Sequence, residues 1–385
     1  MSDILFVTDQ WGYGTATVAL AIAEELRAAG ARERDLSLTL AGTGAGFYLA
    51  ARASLDCMVR TDTMTDRPSR SLLEAVRATD VVVSVMNRRM VRLASDHGKR
   101  CVYVDTLFWM WQKPPITEAI ERCFVEWFPG AEQHVHEWSP ALRSPHDVVG
   151  PITTPLRERP PAPRGVLVNF GGLSSWIVPR DTMAAYAAAM IDCIGDAVRC
   201  GDEPVRVCVG RHIEADVRAA LTREMPDEVE VVDLDHRAYL AALDASRVLV
   251  TSPGLGALYE SLGRGIPCVL LPSQSLSQLL AVRTLRQRGA TTALDWDGLL
   301  GLRDVPVDRE PEACSLIGGC IDRFRDDRVK RAELVEHLRQ ALGDPALTRL
   351  AESQARFRDD MPPRGTPQVA RHLMEMLDAC PSRRG

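Results

Sequence analysis

The segment Val231–Ala290 constrains the fold of this chain more than any other. It alternates short apolar strands with helical stretches, and glycine-rich or polar turns separate them. Strands are predicted at Arg247–Thr251 and Pro267–Leu271, with a glycine turn at Ser252–Gly256 and a helix carrying Glu260 between them. Backbone N–H groups at a helix N-terminus attract anions. The order strand, glycine turn, helix therefore favours a phosphate-binding site.

The same alternation of strands and helices runs through the rest of the chain. In the first half the predicted strands are Ile4–Thr8, Leu36–Ala41, Val81–Val85 and Cys101–Val104, and the predicted helices are Thr15–Ala29 and Ser71–Thr79. In the second half further strands are predicted at Gly165–Phe170, Val205–Val209 and Glu228–Val232. Alternating strands and helices are typical of parallel sheets. We therefore predict an α/β fold with two Rossmann-like, doubly wound domains that face a cleft.

A proline-rich segment divides the chain near its middle. Residues 151–164 have no hydrophobic periodicity and read as a semi-rigid linker between domains at residues 1–150 and 165–365. The apolar stretch Val369–Met376 predicts a terminal helix within residues 366–385, which we expect to pack back on the first domain.

Composition excludes several classes of protein. A net charge of −6 without a basic face argues against nucleic-acid binding. The N-terminus enters a strand directly, and no apolar run is long enough to span a membrane, so we expect no membrane insertion. The ten cysteines are scattered without metal-binding spacing, which is typical of a reducing, cytoplasmic location. A homodimer and a monomer are both open.

A second glycine turn follows the first strand of the second half. The sequence Phe170-Gly171-Gly172-Leu173-Ser174-Ser175 lacks Cβ atoms where backbone amides would have to approach a phosphate. The alternative is a tight turn with no ligand.

These turns resemble the donor half of GT-B glycosyltransferases, especially the N-acetylglucosaminyltransferase that completes lipid II. In that family a strand enters a Ser-Gly loop, a helix glutamate holds the ribose, and a proline-led loop brings a glutamine to the sugar. Ser252, Gly254, Glu260, Pro272 and Gln274 stand here in that order. The resemblance implies a UDP-sugar as co-substrate and no other cofactor. The donor-binding residues predicted from the turns and the resemblance are Gly171, Gly172, Ser174, His236, Ser252, Gly254, Gly256, Glu260, Gln274 and Gln278.

The first domain is predicted to bind the acceptor. Its opening turn reads G-x-G-H in the lipid II enzyme and in related nucleotide-sugar hydrolases, but Thr15 takes the histidine's place here. An unusual aromatic run, Phe108-Trp109-Met110-Trp111, follows a later strand and is either a stacking platform or a hydrophobic wall. The predicted acceptor-binding residues are Trp11, Gly12, Tyr13, Gly14, Thr15, Phe108 and Trp109.

An inverting transfer needs a base that takes the acceptor's proton. Asp9 and Asp105 each end a predicted strand and are the candidates, with helix capping as the alternative role. The other candidates are His97, His134, His136 and His146.

The W-G-Y-G opening and the N-F-G-G-L-S-S turn resemble the cytosylglucuronate synthases of nucleoside antibiotic pathways. That resemblance implies transfer of glucuronate from UDP-glucuronate to N1 of cytosine. The glucuronate carboxylate would need a cation, for which Arg180, Arg211 and Arg283 are candidates, with solvated surface positions as the alternative.

Two acidic pairs, Asp233/Asp235 and Asp295/Asp297, match a D-x-D metal motif. Asp233 precedes a predicted helix and reads as a capping region, so we predict no essential metal. The sequence thus predicts a UDP-sugar-dependent glycosyltransferase, inverting and metal-independent. The alternatives are a nucleotide-sugar hydrolase of the same fold and an inactive nucleotide-binding partner subunit.

Overall fold

The computed structural model describes residues 2–30, 36–50, 53, 55–116, 118, 120–156, 160, 162–198, 204–221 and 229–379. The chain forms two compact units. Unit 1 comprises Met1–Pro155 with Met361–Gly385, and unit 2 comprises Leu156–Asp360. Parts of the predicted linker, residues 157–159 and 161, lie outside the described residues, as does Glu228 of a predicted strand.

Unit 1 is built on a parallel sheet of seven strands within the described residues, in the order β3-β2-β1-β4-β5-β6-β7. The strands are β1 Ser2–Thr8, β2 Leu36–Gly42, β3 Cys57–Arg60, β4 Val81–Val85, β5 Arg100–Asp105, β6 Arg122–Glu126 and β7 His146–Val149. All five residues of β4 are buried, as expected for a parallel strand covered by helices on both faces. The four strands predicted here from sequence are present, with shifted ends in three of them.

Helices cover both faces of this sheet. They are α1 Gly14–Ala28, α2 Gly44–Ala50, α3 Arg70–Ala78, α4 Arg88–Asp96 and α5 Ala131–Trp138, joined by α15 Thr366–Asp378. The last of these packs against α1, so the end of the chain belongs to unit 1. Its entry is tight, because a Cβ atom on Gly150 would lie 1.9 Å from the Pro363 carbonyl oxygen and one on Gly365 would lie 2.4 Å from that of Gly150. Glycine is therefore required at both positions.

Unit 2 repeats the architecture with a parallel sheet of five strands within the described residues, in the order β10-β9-β8-β11-β12. The strands are β8 Val166–Asn169, β9 Val205–Cys208, β10 Val229–Val232, β11 Val248–Thr251 and β12 Cys268–Leu270. The helices are α6 Arg180–Val198, α7 Glu214–Ala220, α8 His236–Ala245, α9 Leu255–Gly263, α10 Leu276–Gln287, α11 Trp296–Leu300, α12 Glu310–Asp326, α13 Arg328–Leu342 and α14 Asp344–Asp359.

The two strand orders place the candidate sites. In unit 1 the connections after β1 and β4 run to opposite sides of the sheet, and in unit 2 those after β8 and β11 do the same. Ligands of open α/β sheets bind at the carboxyl ends of such diverging strands. Asp9 follows β1, while the two glycine turns follow β8 and β11.

The helices and the cysteines of the described residues have one notable property each. None of their helices combines the length and apolar character needed to cross a bilayer. The eight cysteines among them are free thiols.

Candidate functional site

Three loops meet at the carboxyl edge of the unit 2 sheet, and one side chain ties them together. The Gln274 amide Nε2 donates to the Phe170 carbonyl oxygen at 3.1 Å and to Ser252 Oγ at 2.5 Å. The hydroxyl of Tyr186 donates to the Pro272 carbonyl oxygen at 2.6 Å and lies 3.2 Å from Ser252 Oγ. The loops that follow β8, β11 and β12 are therefore held in one fixed arrangement.

The turn after β8 leaves its backbone accessible. Gly171 has a φ of +66°, and a Cβ atom built on it would have no neighbour within 4 Å. Its N–H donates to Asn169 Oδ1 at 2.9 Å. No hydrogen bond within the described residues uses the N–H groups of Gly172 or Ser174. The turn thus combines open space beside Gly171 with unused N–H groups at the buried Gly172 and the half-buried Ser174. Successive backbone amides of this kind can bind anions.

The turn after β11 leads directly into α9. Gly254 is the N-cap residue and provides no side-chain cap, so the first N–H groups of the helix have no side-chain partner. The Ser252 N–H donates to the Asn169 carbonyl oxygen at 3.1 Å, which joins this turn to the end of β8. The positive end of the α9 dipole therefore lies at the same sheet edge as the Gly171 turn.

Glu260 lies on the same face of α9 as Gly256, four residues earlier, but its carboxylate is buried in an ion-pair cluster. Arg264 Nη1 contacts Glu260 Oε2 and donates to the Glu260 carbonyl oxygen at 3.0 Å. Arg264 Nε donates to Asp244 Oδ1 at 2.9 Å. Glu260 is 6% exposed. The cluster fixes its orientation.

The two other predicted donor-site residues, His236 and Gln278, lie in helices α8 and α10. His236 is the first residue of α8 and is 8% exposed; Asp235 is the N-cap and accepts from the Ala238 N–H at 2.8 Å. Gln278 Oε1 accepts from the Gln274 N–H at 2.8 Å. Gln278 therefore holds the backbone of Gln274 in place.

The two acidic pairs have structural partners. Asp235 caps α8, and Asp295 caps α11 while accepting from the Ser273 N–H at 3.0 Å. Asp233 accepts from Arg211 Nε at 3.0 Å, and Asp297 accepts from Arg286 at 2.6 Å. Among the described histidine, cysteine, aspartate and glutamate residues no group of three is arranged to hold a metal ion.

The three arginines that are candidates for binding a donor carboxylate lie in different parts of unit 2. Arg180 pairs with Asp216 at 2.5 Å and contacts the His212 carbonyl oxygen, and Arg211 neighbours His212 in sequence. His212 Nε2 lies 2.9 Å from the Gly172 carbonyl oxygen, so His212 connects the residue that Arg180 contacts with the glycine turn. Arg283 instead donates to the Leu302 and Arg303 carbonyl oxygens.

In unit 1, Asp9 lies in the turn between β1 and α1. It accepts from the Trp11 N–H at 3.1 Å and from Thr15 Oγ1 at 2.9 Å. Burial raises the pKa of Asp9 to about 7, and the bonds from Thr15 and Trp11 oppose that rise. In the same turn Gly12 has a φ of +67°, Tyr13 is the N-cap of α1 and Gly14 is its first residue. Asp9 therefore exchanges its proton near neutral pH.

Asp105 ends β5 and is fully buried. It accepts from the Leu107 N–H at 2.8 Å and from Trp111 Nε1 at 3.1 Å. Burial raises the pKa of Asp105 to about 6. The guanidinium of Arg88 lies over the Trp111 ring, 4.7 Å from its centroid. Trp111 is thus held by a carboxylate and a cation.

Phe108 and Trp109 lie in the interior of unit 1. Phe108 has no exposed surface and packs against Trp138 with ring centroids 5.2 Å apart. Trp109 is 7% exposed and packs against Phe128 at 4.5 Å. Protein rings occupy these contacts, which is the arrangement of a hydrophobic wall, whereas the half-buried Trp111 is more accessible.

The four histidines considered as alternative bases lie in other parts of unit 1 than Asp9. His134 stacks on Trp138 at 4.6 Å, with Nδ1 3.1 Å from the Phe108 carbonyl oxygen. His146 Nδ1 lies 2.8 Å from the Ser144 carbonyl oxygen, and burial lowers the pKa of His146. His97 is the C-cap residue that follows α4, and His136 lies in α5.

The sequence analysis did not identify several residues that shape these edges. They are Asn169, Tyr186, His212, Arg264 and Arg88. Arg264 stands four residues after Glu260, a spacing that predicts a helical ion pair. Tyr186, His212 and Arg88 have partners that are distant in sequence, so no local pattern marks them. Asn169 accepts from the nearby Gly171 N–H as well as joining the two turns.

The solved structures that share this fold include the following three. The spinosyn forosaminyltransferase SpnP is 14% identical with a TM-score of 0.53, covering 98% of this chain and 99% of its own. The glycosyltransferase VinC, in complex with dTDP, is 12% identical with a TM-score of 0.50, covering 98% and 100%. The putative UDP-N-acetylglucosamine 2-epimerase from Listeria monocytogenes is 12% identical with a TM-score of 0.54, covering 97% and 94%. The predicted GT-B glycosyltransferase fold is confirmed.

Sequence comparison identifies the family. The family described as CGA synthase-related protein matches residues 124–342, more than half of the chain. The chain belongs to this family. Membership and fold together support the prediction of a glycosyltransferase. No curated protein matches the sequence.

The raised pKa of Asp9 predicts a pH-dependent stability. The pKa of Asp9 is about 7 in the folded protein and about 4 in an unfolded chain. The contribution of Asp9 to the stability of the folded state is therefore complete below pH 4 and is lost as the pH rises through 7. Asp9→Asn keeps an acceptor for Trp11 and Thr15 without the charge. We expect the variant to gain stability over the wild type between pH 5 and pH 8, measured as the free energy of unfolding in urea.

The matched control is Asp62→Asn, because Asp62 accepts the same kind of bond from the Met64 N–H in an exposed turn. An exposed carboxylate loses little hydration on folding, so the stability difference between Asp62→Asn and the wild type should be the same at pH 5 and at pH 8. A stability difference for Asp9→Asn that is equal at both pH values would contradict the prediction.

Proposed function

We propose that this chain transfers glucuronate from UDP-glucuronate to N1 of cytosine, with inversion and without a metal. The family description supports the product, since we read CGA as cytosylglucuronic acid. The observation that carries the donor site is the Gln274 bridge, because it brings the Gly171 turn and the uncapped N-terminus of α9 to one edge. UDP is the donor nucleotide in this proposal.

In this proposal unit 2 binds the donor. The N–H groups of Gly172 and Ser174 and of the first turn of α9 hold the diphosphate and stabilise its charge as it leaves. Glu260 accepts the ribose hydroxyls, and His236 borders the base. Arg180 or Arg211 pairs with the glucuronate carboxylate, because Arg180 contacts His212, Arg211 precedes it, and His212 reaches the Gly172 turn. Arg283 bonds instead to the Leu302 carbonyl oxygen.

Unit 1 binds cytosine. N1 attacks the anomeric carbon, the bond from that carbon to the UDP oxygen breaks, and UDP leaves with the bonding electrons. The N1 proton passes to a carboxylate. Asp9 suits this step better than Asp105, because its pKa is about 7 and it is only half-buried, whereas Asp105 has no exposed surface and already binds Trp111. Asp105 then orients Trp111 as the face on which the pyrimidine stacks.

A nucleotide-sugar hydrolase is the second candidate. The donor half-site favours keeping it, because Gln274 fixes the two phosphate-binding turns of unit 2 independently of any acceptor. A hydrolase would pass the sugar to water instead of cytosine.

The deciding experiment incubates the full chain with UDP-glucuronate or UDP-glucose, with and without cytosine, and reads products by mass. We expect a cytosine–glucuronate conjugate and UDP only when cytosine is present. UDP release without cytosine would indicate the hydrolase. Binding of UDP without any turnover would indicate an inactive partner subunit. A product formed only with a different acceptor would reject cytosine as the acceptor and leave the glycosyltransferase assignment in place.

The ribose role of Glu260 predicts that Glu260→Ala weakens UDP binding by about 10- to 150-fold, the loss expected for one charge-assisted hydrogen bond. Isothermal titration calorimetry measures it. Glu214→Ala is the control, because Glu214 forms a surface ion pair with Arg218 at the same four-residue spacing. Equal UDP affinity in Glu260→Ala and the wild type would reject the donor-site assignment.

The base role of Asp9 predicts that Asp9→Asn lowers kcat by about 10²- to 10⁴-fold while UDP affinity changes little. Asp105→Asn should act mainly on the KM for cytosine, because it loosens Trp111 instead of removing the base. A normal kcat in Asp9→Asn together with a large fall in kcat in Asp105→Asn would contradict this assignment and make Asp105 the base.

A further inference from the structure

A buried ion cluster lies directly beside the proposed ribose site. Its members are Asp244, near the end of α8, Glu260 in α9, and Arg264, which caps the C-terminal end of α9. Their side chains are 6%, 7% and 1% exposed. Charged groups are seldom buried this completely, and here both acids are held by one guanidinium.

The guanidinium holds Glu260 at two points. Arg264 Nη1 donates to the Glu260 backbone carbonyl oxygen at 3.0 Å and contacts Oε2 of the same residue. Backbone and carboxylate are thus fixed relative to each other, which selects one side-chain rotamer. From the other side, Arg264 Nε donates to Asp244 at 2.9 Å, which fixes the guanidinium itself.

Only arginine meets this geometry. Its planar fork serves both acids with donors in fixed directions, whereas a lysine ammonium is a point charge on a flexible stem. Without the cation, two carboxylates would lie close to each other in the interior, and Glu260 would be free to turn away.

We propose that Arg264 is the positioning residue for ribose recognition: anchored by Asp244, it holds the Glu260 carboxylate in the orientation that accepts the ribose hydroxyls of the donor. This rests on the proposed donor site in unit 2. Preorganisation of this kind increases affinity because the side-chain freedom is lost before the ligand binds.

The test compares two ligands on the full chain by isothermal titration calorimetry: UDP, and 2′,3′-dideoxy-UDP, which lacks both hydroxyls. The wild type should prefer UDP by about tenfold or more. In Arg264→Met and Arg264→Lys that preference should fall towards one, through weaker UDP binding, while the affinity for the dideoxy ligand stays within about threefold of the wild type. Asp244→Asn should reduce the preference partially.

Arg218→Met is the matched control, since Arg218 pairs with Glu214 at the same spacing on an exposed surface. Both of its affinities should match the wild type. If Arg264→Met does not fold, judged by circular dichroism, the milder Arg264→Lys decides.

Two results would overturn the inference while leaving the donor site in place: a full preference for UDP in the Arg264 variants, or an equal loss of affinity for both ligands, which marks a general structural role. A wild type that binds both ligands equally would reject the ribose role of Glu260, and the positioning role of Arg264 with it.

Discussion

The two hydrogen bonds of the Gln274 amide connect the loops on which the candidate donor site depends. Phe170 and Ser252 directly follow β8 and β11, two strands that are neighbours in the sheet but far apart in sequence. Glycine turns are conformationally free, and bringing two of them together costs entropy. A buried amide that bonds to both, at a residue 6% exposed, supplies that order before any ligand arrives. Gln278 Oε1 accepts from the Gln274 N–H, so the backbone that carries this amide is also held in place.

Sequence predicted the central strands and the glycine turns because both signals are local. The run Val81–Val85, apolar except for Ser84, is typical of a strand in a covered parallel sheet, and its predicted bounds agree with the structure. The strands β3, β6 and β7 were not predicted. They are four or five residues long, with charged residues such as Arg122 and Glu126 at their ends, so pairing with a neighbouring strand determines their conformation.

The same distinction applies to the site residues. Asp9, Asp105 and the glycines were identified because residues at the carboxyl ends of parallel strands share one edge. The direction of a side chain is a different matter. Three aromatics in four positions cannot all face a ligand, and the short 3-10 helix Phe108–Met110 turns Phe108 and Trp109 inward while Trp111 reaches Asp105. That outcome depends on Trp138 and Phe128, which no local pattern relates to this run.

Thr15 influences which titratable group the turn after β1 supplies. A histidine at this place in the resembling enzymes would bring its own titratable ring. Here the hydroxyl of Thr15 donates to Asp9, and the N–H of Trp11 adds a second bond. Both bonds favour the charged carboxylate, burial disfavours it more strongly, and the balance leaves the pKa of Asp9 at about 7. A carboxylate tuned to neutral pH can accept a proton that an ordinary aspartate would not retain, and the turn thereby supplies a titratable group without the histidine.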